Sequence, residues 1–291
     1  MIDSILLQQI LNGIFEGSVY ALMAVGLSLI FGVIEVVNFA HGEFYAIGGY
    51  ITYLLCSVFG FSYEATVAIT CLALAVLGGI CEKIFIEPLI ERHWLMPIVT
   101  TFGLSIIIQN LLRIIFSPDV KKIPTLYGAE VLEFLGVRVS YQRIIVIFGA
   151  LISFLLLHIF LYKTKTGKAI RAASQNKEAC SIVGIDLKKV YLLAFSLSTM
   201  FCGLAGSIAG PVFCVSPMMG SALLLKAFAV VILGGFGNVK GAILSAYIIG
   251  CIESFAGAYI SYTFKDMFGF IIMVIVLLFK PQGIFGKKVG I

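Results

Sequence analysis

Asn38, His41 and Glu43 place an amide, an imidazole and a carboxyl group within six consecutive residues. An imidazole beside a carboxylate is a combination used in acid–base chemistry and in metal binding. His41 and Glu43 alone are too few ligands for a metal site, and no cluster in the sequence joins a nucleophile to a base. We therefore predict neither a catalytic residue nor a metal site in this chain.

The composition indicates the environment that must hold these residues. The chain has 291 residues, of which 60% are hydrophobic and 12% are charged, and its mean hydropathy is +1.09. Soluble domains carry about a quarter of charged residues, so this is a polytopic membrane protein. A spanning helix needs about 20 mostly apolar residues, so about eight or nine such helices use the whole length. We expect an all-α fold with one transmembrane domain over residues 1–291.

Inside a membrane, the polar segment from Asn38 to Glu43 needs a special explanation. Its side chains offer several hydrogen-bond donors and acceptors, and Gly42 allows another backbone to pack closely. Irregular polar backbone at membrane depth is stable only where protein or a water-filled cavity satisfies it. Asn38, His41, Gly42 and Glu43 are therefore interpreted as a gate or hinge near the cytoplasmic side, with a simple tight turn as the alternative.

A second candidate site is the segment from about 163 to 189, in which basic residues outnumber acidic ones by seven to two. It lies between two spanning segments, so the positive-inside rule places it in the cytoplasm. Small residues near helical spacing, interrupted by the turn-prone residues 174 to 176, predict two short helices. Asn176 can cap the second helix, Gly184 can end it, and Asp186 can cap the next membrane helix.

The small side chains of this segment suggest a role beyond topology. Alanine has a small side chain and glycine has none, so another protein can approach the backbone of such a helix closely. The alternative is that the loop is basic only because cytoplasmic loops generally are. The internal order of the segment favours a docking surface.

A few polar residues within the apolar segments are candidates for a transport path. An intramembrane carboxylate such as Glu16 marks a path or forms hydrogen bonds near the outer interface. Gln109 and Asn110 belong to a polar stripe that lines a path or joins neighbouring helices. Lys226 and Glu253 are expected to pair, to reach the interface, or to touch the path.

Other features exclude several functions. The sequence has no GxxxxGK[S/T] phosphate loop, so we expect the chain to bind no nucleotide or other cofactor itself. The net charge of +5 fits contact with the lipid bilayer better than binding to nucleic acid, because no basic stripe with interleaved aromatic residues is present. The seven cysteines form no CxxC pair and are interpreted as small buried hydrophobic residues.

Three motifs resemble one family of membrane proteins. They are the hexapeptide Asn-Phe-Ala-His-Gly-Glu at 38–43, the stretch 167–186 that begins Gly-Lys-Ala-Ile-Arg-Ala-Ala, and the segment from Lys226 to Ala242. Together they resemble the permeases of ABC importers of the branched-chain amino acid, or LivH-like, type. The resemblance covers nearly the whole chain, and the hexapeptide is its most specific part.

The resemblance implies a transport subunit without its own ATPase site. In the family, such a subunit pairs with a second homologous permease, two cytoplasmic ATP-binding subunits that use ATP, and an extracytoplasmic solute-binding protein. It implies a location in the plasma membrane of a bacterium or archaeon, which is the inner membrane in a Gram-negative cell. It also implies that the segment 163–189 is a coupling loop that docks onto the ATPase through Gly167, Arg171, Ala172, Ala173, Ala179, Gly184 and Ile185.

The sequence is compatible with more than one substrate and more than one transport mechanism. The family carries leucine, isoleucine and valine, but relatives with similar motifs move urea or amides. A secondary transporter coupled to an ion through Glu16 and Glu253 is the alternative from another class, although no clear internal repeat supports it. The polar residues 117 to 142 are expected outside, as a plain loop or as the landing surface for an extracytoplasmic partner.

Overall fold

The computed structural model describes residues 2–90, 92–125, 127, 130–134 and 136–286. Within these ranges the chain is mainly helical, with one short β-hairpin. The helices are α1 (Ile2–Val33), α2 (His41–Tyr53), α3 (Tyr63–Cys81), α4 (Leu95–Phe116), α5 (Tyr141–Lys163), α6 (Lys165–Ala173), α7 (Lys177–Ile182), α8 (Leu187–Phe213), α9 (Met219–Gly234), α10 (Val239–Tyr259) and α11 (Lys265–Phe279). The strands are β1 (Val131–Phe134) and β2 (Val137–Ser140), which pair antiparallel.

Six helices in the described part of the chain are long and apolar enough to cross a membrane. They are α1, α3 with its continuation to Leu89, α4, α5, α8 and α10. The shorter helix α9 is also apolar. The predicted multi-pass helical protein is therefore confirmed, but the predicted eight or nine spanning helices are not all present as long helices.

The core is built around α1. Its residues from Phe15 to Ile30 are almost all buried, and they pack against α8, α9 and α10. Close approach to α10 is possible because Gly13 and Gly17 present no side chain to it, and their positions face the backbone of Cys251 and Tyr247. By contrast, α4 and α5 expose rows of large apolar side chains, as helices that face lipid do.

A break in the helical pattern separates α1 from α2. The chain leaves α1 at Val33, runs through residues 34–40 without regular helix, and starts α2 at His41. The His41 ring contacts the carbonyl oxygen of Met23 at 2.9 Å, and Met23 lies ten residues before Val33 in α1. At 1.5 Å per helical residue, α2 therefore begins roughly 15 Å along the helix axis from the carboxyl-terminal end of α1.

The structure corrects the predicted loops. Residues 117–142 contain the β-hairpin, which departs from the all-α expectation; Val131, Val137 and Val139 favour strands, and Gly136 takes a positive φ of 76° in the turn. Beyond Cys81 the chain stays helical as far as Leu89, first as a π-helical turn and then as a 3₁₀ turn. The two short helices predicted in the segment 163–189 are confirmed as α6 and α7.

Candidate functional site

The irregular segment before α2 is held by α4. The Asn38 side chain is fully buried, and its Oδ1 accepts a hydrogen bond from the Ala40 amide at 3.0 Å. The Phe39 amide donates to Thr101 Oγ1, and this hydroxyl donates to the carbonyl oxygen of Val37, both at 3.2 Å. These bonds satisfy backbone groups that the helices leave free, as membrane depth requires.

His41 joins three helices at the start of α2. Its buried ring lies 2.9 Å from the Met23 carbonyl oxygen of α1. On the side of α8, the ring contacts Ser198 Oγ at 3.3 Å and Cys202 Sγ at 3.2 Å. All three partners are uncharged, so the contacts describe a histidine that ties α1, α2 and α8 together.

Glu43 is a buried carboxylate whose described partners are all neutral. Its Oε1 accepts hydrogen bonds from Gln109 Nε2 at 2.8 Å and from Ser105 Oγ at 3.1 Å, both on α4. Its Oε2 has no hydrogen-bond partner among the described residues. Burying a carboxylate without a cation is costly, so this group marks a special position between α2 and α4.

The structure separates the two polar residues that sequence reasoning grouped on α4. Gln109 lies against Glu43, whereas Asn110 is exposed and donates to the Ile106 carbonyl oxygen of its own helix. Phe39, in the segment before α2, contacts one aromatic ring of α4 and one of α9. The Phe39 ring centroid is 6.0 Å from that of Phe102 and 5.6 Å from that of Phe228.

Three further acidic side chains, Glu16, Glu253 and Asp266, pair with lysines, whereas the buried Glu82 in the α3 span has no hydrogen-bond partner among the described residues. Lys265 Nζ donates to Glu16 Oε1 at 2.8 Å, which joins α11 to α1. Lys226 Nζ contacts the buried Glu253 and the partly exposed Asp266, each at 2.8 Å. Sequence reasoning left pairing as one alternative for Lys226 and Glu253, and the structure confirms it.

Helices α6, α7 and α8 begin at side-chain caps. Thr164 Oγ1 accepts from the Gly167 amide at 2.9 Å, and Asn176 Oδ1 accepts from the Ala179 amide at 2.9 Å. Asp186 caps α8 through the Lys188 amide at 3.1 Å. The Lys189 side chain and the helix amides hydrogen-bond to this carboxylate and lower the pKa of Asp186. The caps predicted at Asn176 and Asp186 are thus confirmed.

The predicted coupling residues divide into two faces. Gly167 and Ala173 are buried against the chain itself, and Gly167 packs on the backbone of Phe160. The side chain of Arg171 also turns inward, where its Nε donates to the Leu161 carbonyl oxygen at 3.0 Å. Ala172 and Ile185 are partly buried, and only Ala179 and Gly184 are exposed.

Two exposed aliphatic residues complete the outer face, and the sequence analysis assigned neither of them to docking. Ile182 and Val183 are 86% and 73% exposed, beside Ala179 and Gly184. Gly184 has a φ of 79°, a left-handed conformation that glycine adopts readily. The sequence signal that could have identified them is that Ile182 and Val183 are consecutive aliphatic residues in a mainly polar segment.

A second connection was also missed from sequence. Lys177 Nζ of α7 lies 3.1 Å from Glu35 Oε2 and donates to the Ile34 carbonyl oxygen at 3.4 Å. Ile34 and Glu35 belong to the irregular segment that leads to α2. Helix α7 therefore contacts the stretch of chain that leads to Asn38 and Glu43.

The chain is similar to known permeases along nearly its whole length. Residues 9–277 match the family described as branched-chain amino acid transport system, permease component. The chain is 30% identical to the high-affinity branched-chain amino acid transport system permease protein BraD of Pseudomonas aeruginosa over 296 residues, covering 97% of this chain and 96% of BraD.

Two proteins of Escherichia coli with related names are also similar. The permease protein LivH is 28% identical over 294 residues, covering 97% of this chain and 96% of LivH. The permease protein LivM is 26% identical over 293 residues, covering 91% of this chain and 67% of LivM. No solved structure matches the chain significantly. The family match over most of the residues, together with the apolar helices, shows that the chain belongs to the permease components of branched-chain amino acid transport systems.

Proposed function

We propose that the chain is a transmembrane subunit of an ATP-driven importer that moves leucine, isoleucine and valine. The observation that carries this proposal is the similarity to BraD and LivH over 97% of the chain. ATP is used by two cytoplasmic subunits, and a solute-binding protein delivers the substrate from outside. Similarity to both LivH and LivM supports pairing with a second, homologous permease subunit.

Residues 1–291 form one transmembrane domain that crosses the membrane nine times in this proposal. The crossings are the six long helices, the broken segment 34–58, and the shorter helices α9 and α11. Contacts at both ends support this order. Near the amino terminus, Gln8 hydrogen-bonds to Arg138 of the β-hairpin, which supports a position for both at the same, outer end. At the opposite end, Glu87 pairs with Lys188 of α8, which follows the basic cytoplasmic segment.

The substrate path is proposed between α2 and α4. A zwitterion with an aliphatic side chain needs a mainly apolar lining with a few hydrogen-bonding groups, because tight binding would slow release. The aromatic rings of Phe39 and Phe102 and the polar pair of Glu43 and Gln109 offer this combination. Asn38, His41 and Gly42 hold the gate closed beside this path. Glu16, whose charge is paired with Lys265, contributes to the path only at its outer end.

The cytoplasmic ATP-binding subunit is proposed to dock on α6 and α7. The outer face of Ala179, Ile182, Val183 and Gly184 makes the contact, since it is exposed and partly apolar. The inward residues Gly167, Arg171, Ala172, Ala173 and Ile185 hold the two helices in place. Movement of α7 then reaches the gate through the Lys177 and Glu35 pair.

Reconstitution tests this proposal. The chain would be placed in proteoliposomes with a partner permease, ATPase subunits and a solute-binding protein of the same transport system. We expect uptake of labelled leucine that requires ATP inside the vesicles, with no uptake of urea or small amides. Uptake of urea in place of leucine would select the alternative substrate class. Leucine uptake driven by an ion gradient without ATP would select the secondary transporter.

A further inference from the structure

A cleft opens at the inner end of the bundle, away from the proposed path. It has a volume of about 830 Å³ and lies between the inner halves of α5 and α10, above the inner end of α1. Its apolar wall includes Leu29, Phe154, Leu157 and Ile243. On the outer faces of the flanking helices, Leu155 and Leu244 are exposed, as residues that contact lipid are.

The cytoplasmic rim of this cleft is basic and aromatic. The guanidinium carbon of Arg171 lies 4.1 Å from the centre of the Tyr162 ring, and Lys240 Nζ lies 5.9 Å from the same centre. The His158 ring stacks on Tyr162 with a centroid distance of 4.4 Å. Three groups that are or can become cationic therefore surround one aromatic ring.

The two permanent cations of the rim lack an acidic partner. Among the described residues, no carboxylate lies within ion-pair distance of Arg171 or Lys240. Glu35 also lines the cleft, but it pairs with Lys177 at 3.1 Å. The Nε of Arg171 is used by the Leu161 carbonyl oxygen, which fixes the side chain and leaves its terminal nitrogens for another acceptor.

We propose that this cleft binds an anionic phospholipid of the inner leaflet. Its phosphate is held by Arg171 and Lys240, and its acyl chains run along Phe154 and Ile243. The two cations lie at the level expected for lipid phosphates in the proposed topology. Arg171 belongs to the cytoplasmic helix α6, and Lys240 lies in the first turn of α10. Basic pockets between membrane helices on the cytoplasmic side are suited to anionic head groups. The apolar wall distinguishes a lipid from free phosphate.

The test compares the full importer assembly in nanodiscs of phosphatidylcholine with and without phosphatidylglycerol. Bound phosphatidylglycerol is measured by native mass spectrometry and by the midpoint of thermal unfolding. Each of the two cations is worth about 1 kcal/mol near an anionic lipid, so Arg171→Gln with Lys240→Gln should weaken binding roughly 30-fold. Lys240→Gln alone should weaken it roughly fivefold, and it leaves the Arg171 hydrogen bond intact.

The matched control neutralises two exposed lysines of the same cytoplasmic helix that do not line the cleft, Lys165→Gln with Lys168→Gln. This control should keep the wild-type affinity. Equal binding by the cleft variants and the wild type would overturn the proposal, as would an equal loss in the control. Inorganic phosphate added to phosphatidylcholine nanodiscs forms a further arm. Stabilisation by phosphate that matches that by the lipid would assign the cleft to a soluble anion instead. Occupation of the cleft by another subunit, detected by crosslinking from Lys240→Cys, would also overturn it.

Discussion

Gly42 of α2 and Gly220 of α9 pack backbone against backbone. A Cβ atom built on either residue would overlap the carbonyl oxygen of the other. The contact lies one residue from His41 and one from Glu43, so it sets the distance between α9 and the start of α2. In a membrane, close approach of this kind replaces the hydrophobic driving force that helices have in water.

We expect Gly42→Ala and Gly220→Ala to destabilise the protein because each adds a methyl group where backbone already fills the space. Overpacking of this kind costs about 1–3 kcal/mol. The matched control is Gly103→Ala on α4, where an added Cβ meets nothing within 4 Å. In a helix interior this control should be neutral or slightly stabilising. Thermal unfolding in detergent measures all three, and equal midpoints for Gly42→Ala and Gly103→Ala would contradict the packing.

The position of the path predicts different outcomes for two neighbouring amides. Gln109→Leu should lower leucine uptake at least about tenfold, because it leaves the buried Glu43 with one fewer donor, a loss of about 1.5–3 kcal/mol for a bond to a charged group. Asn110→Leu removes only an exposed bond within its own helix and should keep most of the uptake. Uptake is measured in the reconstituted system. A silent Gln109→Leu beside an inactive Asn110→Leu would move the path to the other face of α4.

Substitutions on the exposed face of α7 should prevent the ATPase subunits from binding. Ile182→Glu or Val183→Glu places a charge at the proposed apolar contact, so the ATPase subunits should no longer copurify while the chain still inserts. Val120→Glu is the matched control, since Val120 is 66% exposed at the opposite end of the bundle. Copurification in detergent is the readout. Normal copurification of both α7 variants would remove these residues from the docking surface.

The pair of Lys177 and Glu35 predicts a rescue. Lys177→Glu should reduce the coupling of ATP hydrolysis to uptake. Two like charges would then repel each other, which would push α7 away from the segment 34–40. The double variant Lys177→Glu with Glu35→Lys restores opposite charges and should recover coupling. The ratio of leucine transported to ATP hydrolysed is the measurement. If the double variant is no better than Lys177→Glu, the pair does not transmit movement.

The network around Glu253 predicts a large loss of stability. The Glu253 side chain is 1% exposed, and Lys226 is one of its two partners, with the Tyr20 hydroxyl at 2.7 Å as the other. Lys226→Met leaves a buried carboxylate without a cation, which costs about 3–5 kcal/mol. Adding Glu253→Gln removes that charge and should recover part of the loss. Lys189→Met, at an exposed pair with Asp186, is the control and should change the unfolding midpoint little.

Local signals were sufficient for several features. Asn176 and Asp186 were predicted as helix caps because a side-chain oxygen bonds amides only two or three residues away. The basic segment 163–189 was predicted to hold two helices for the same reason, since cap, small residues and turn lie close together in sequence. The hairpin at 131–140 was not predicted, because its short strands carry little periodicity.

The sequence by itself determined that this is a multi-pass membrane protein, that the segment 163–189 holds two short helices, and which family its motifs resemble. These properties follow from hydropathy and short-range bonding, which the order of residues specifies directly. Only the tertiary structure decided that Glu43 meets Gln109 but not Asn110, that Ala173 faces inward while Ile182 faces out, and that Lys226 neutralises Glu253. Such contacts join residues that are distant along the chain, and they depend on how each helix is rotated against its neighbours. An almost uniformly apolar helix carries little periodic signal for that rotation, so only packing decides it.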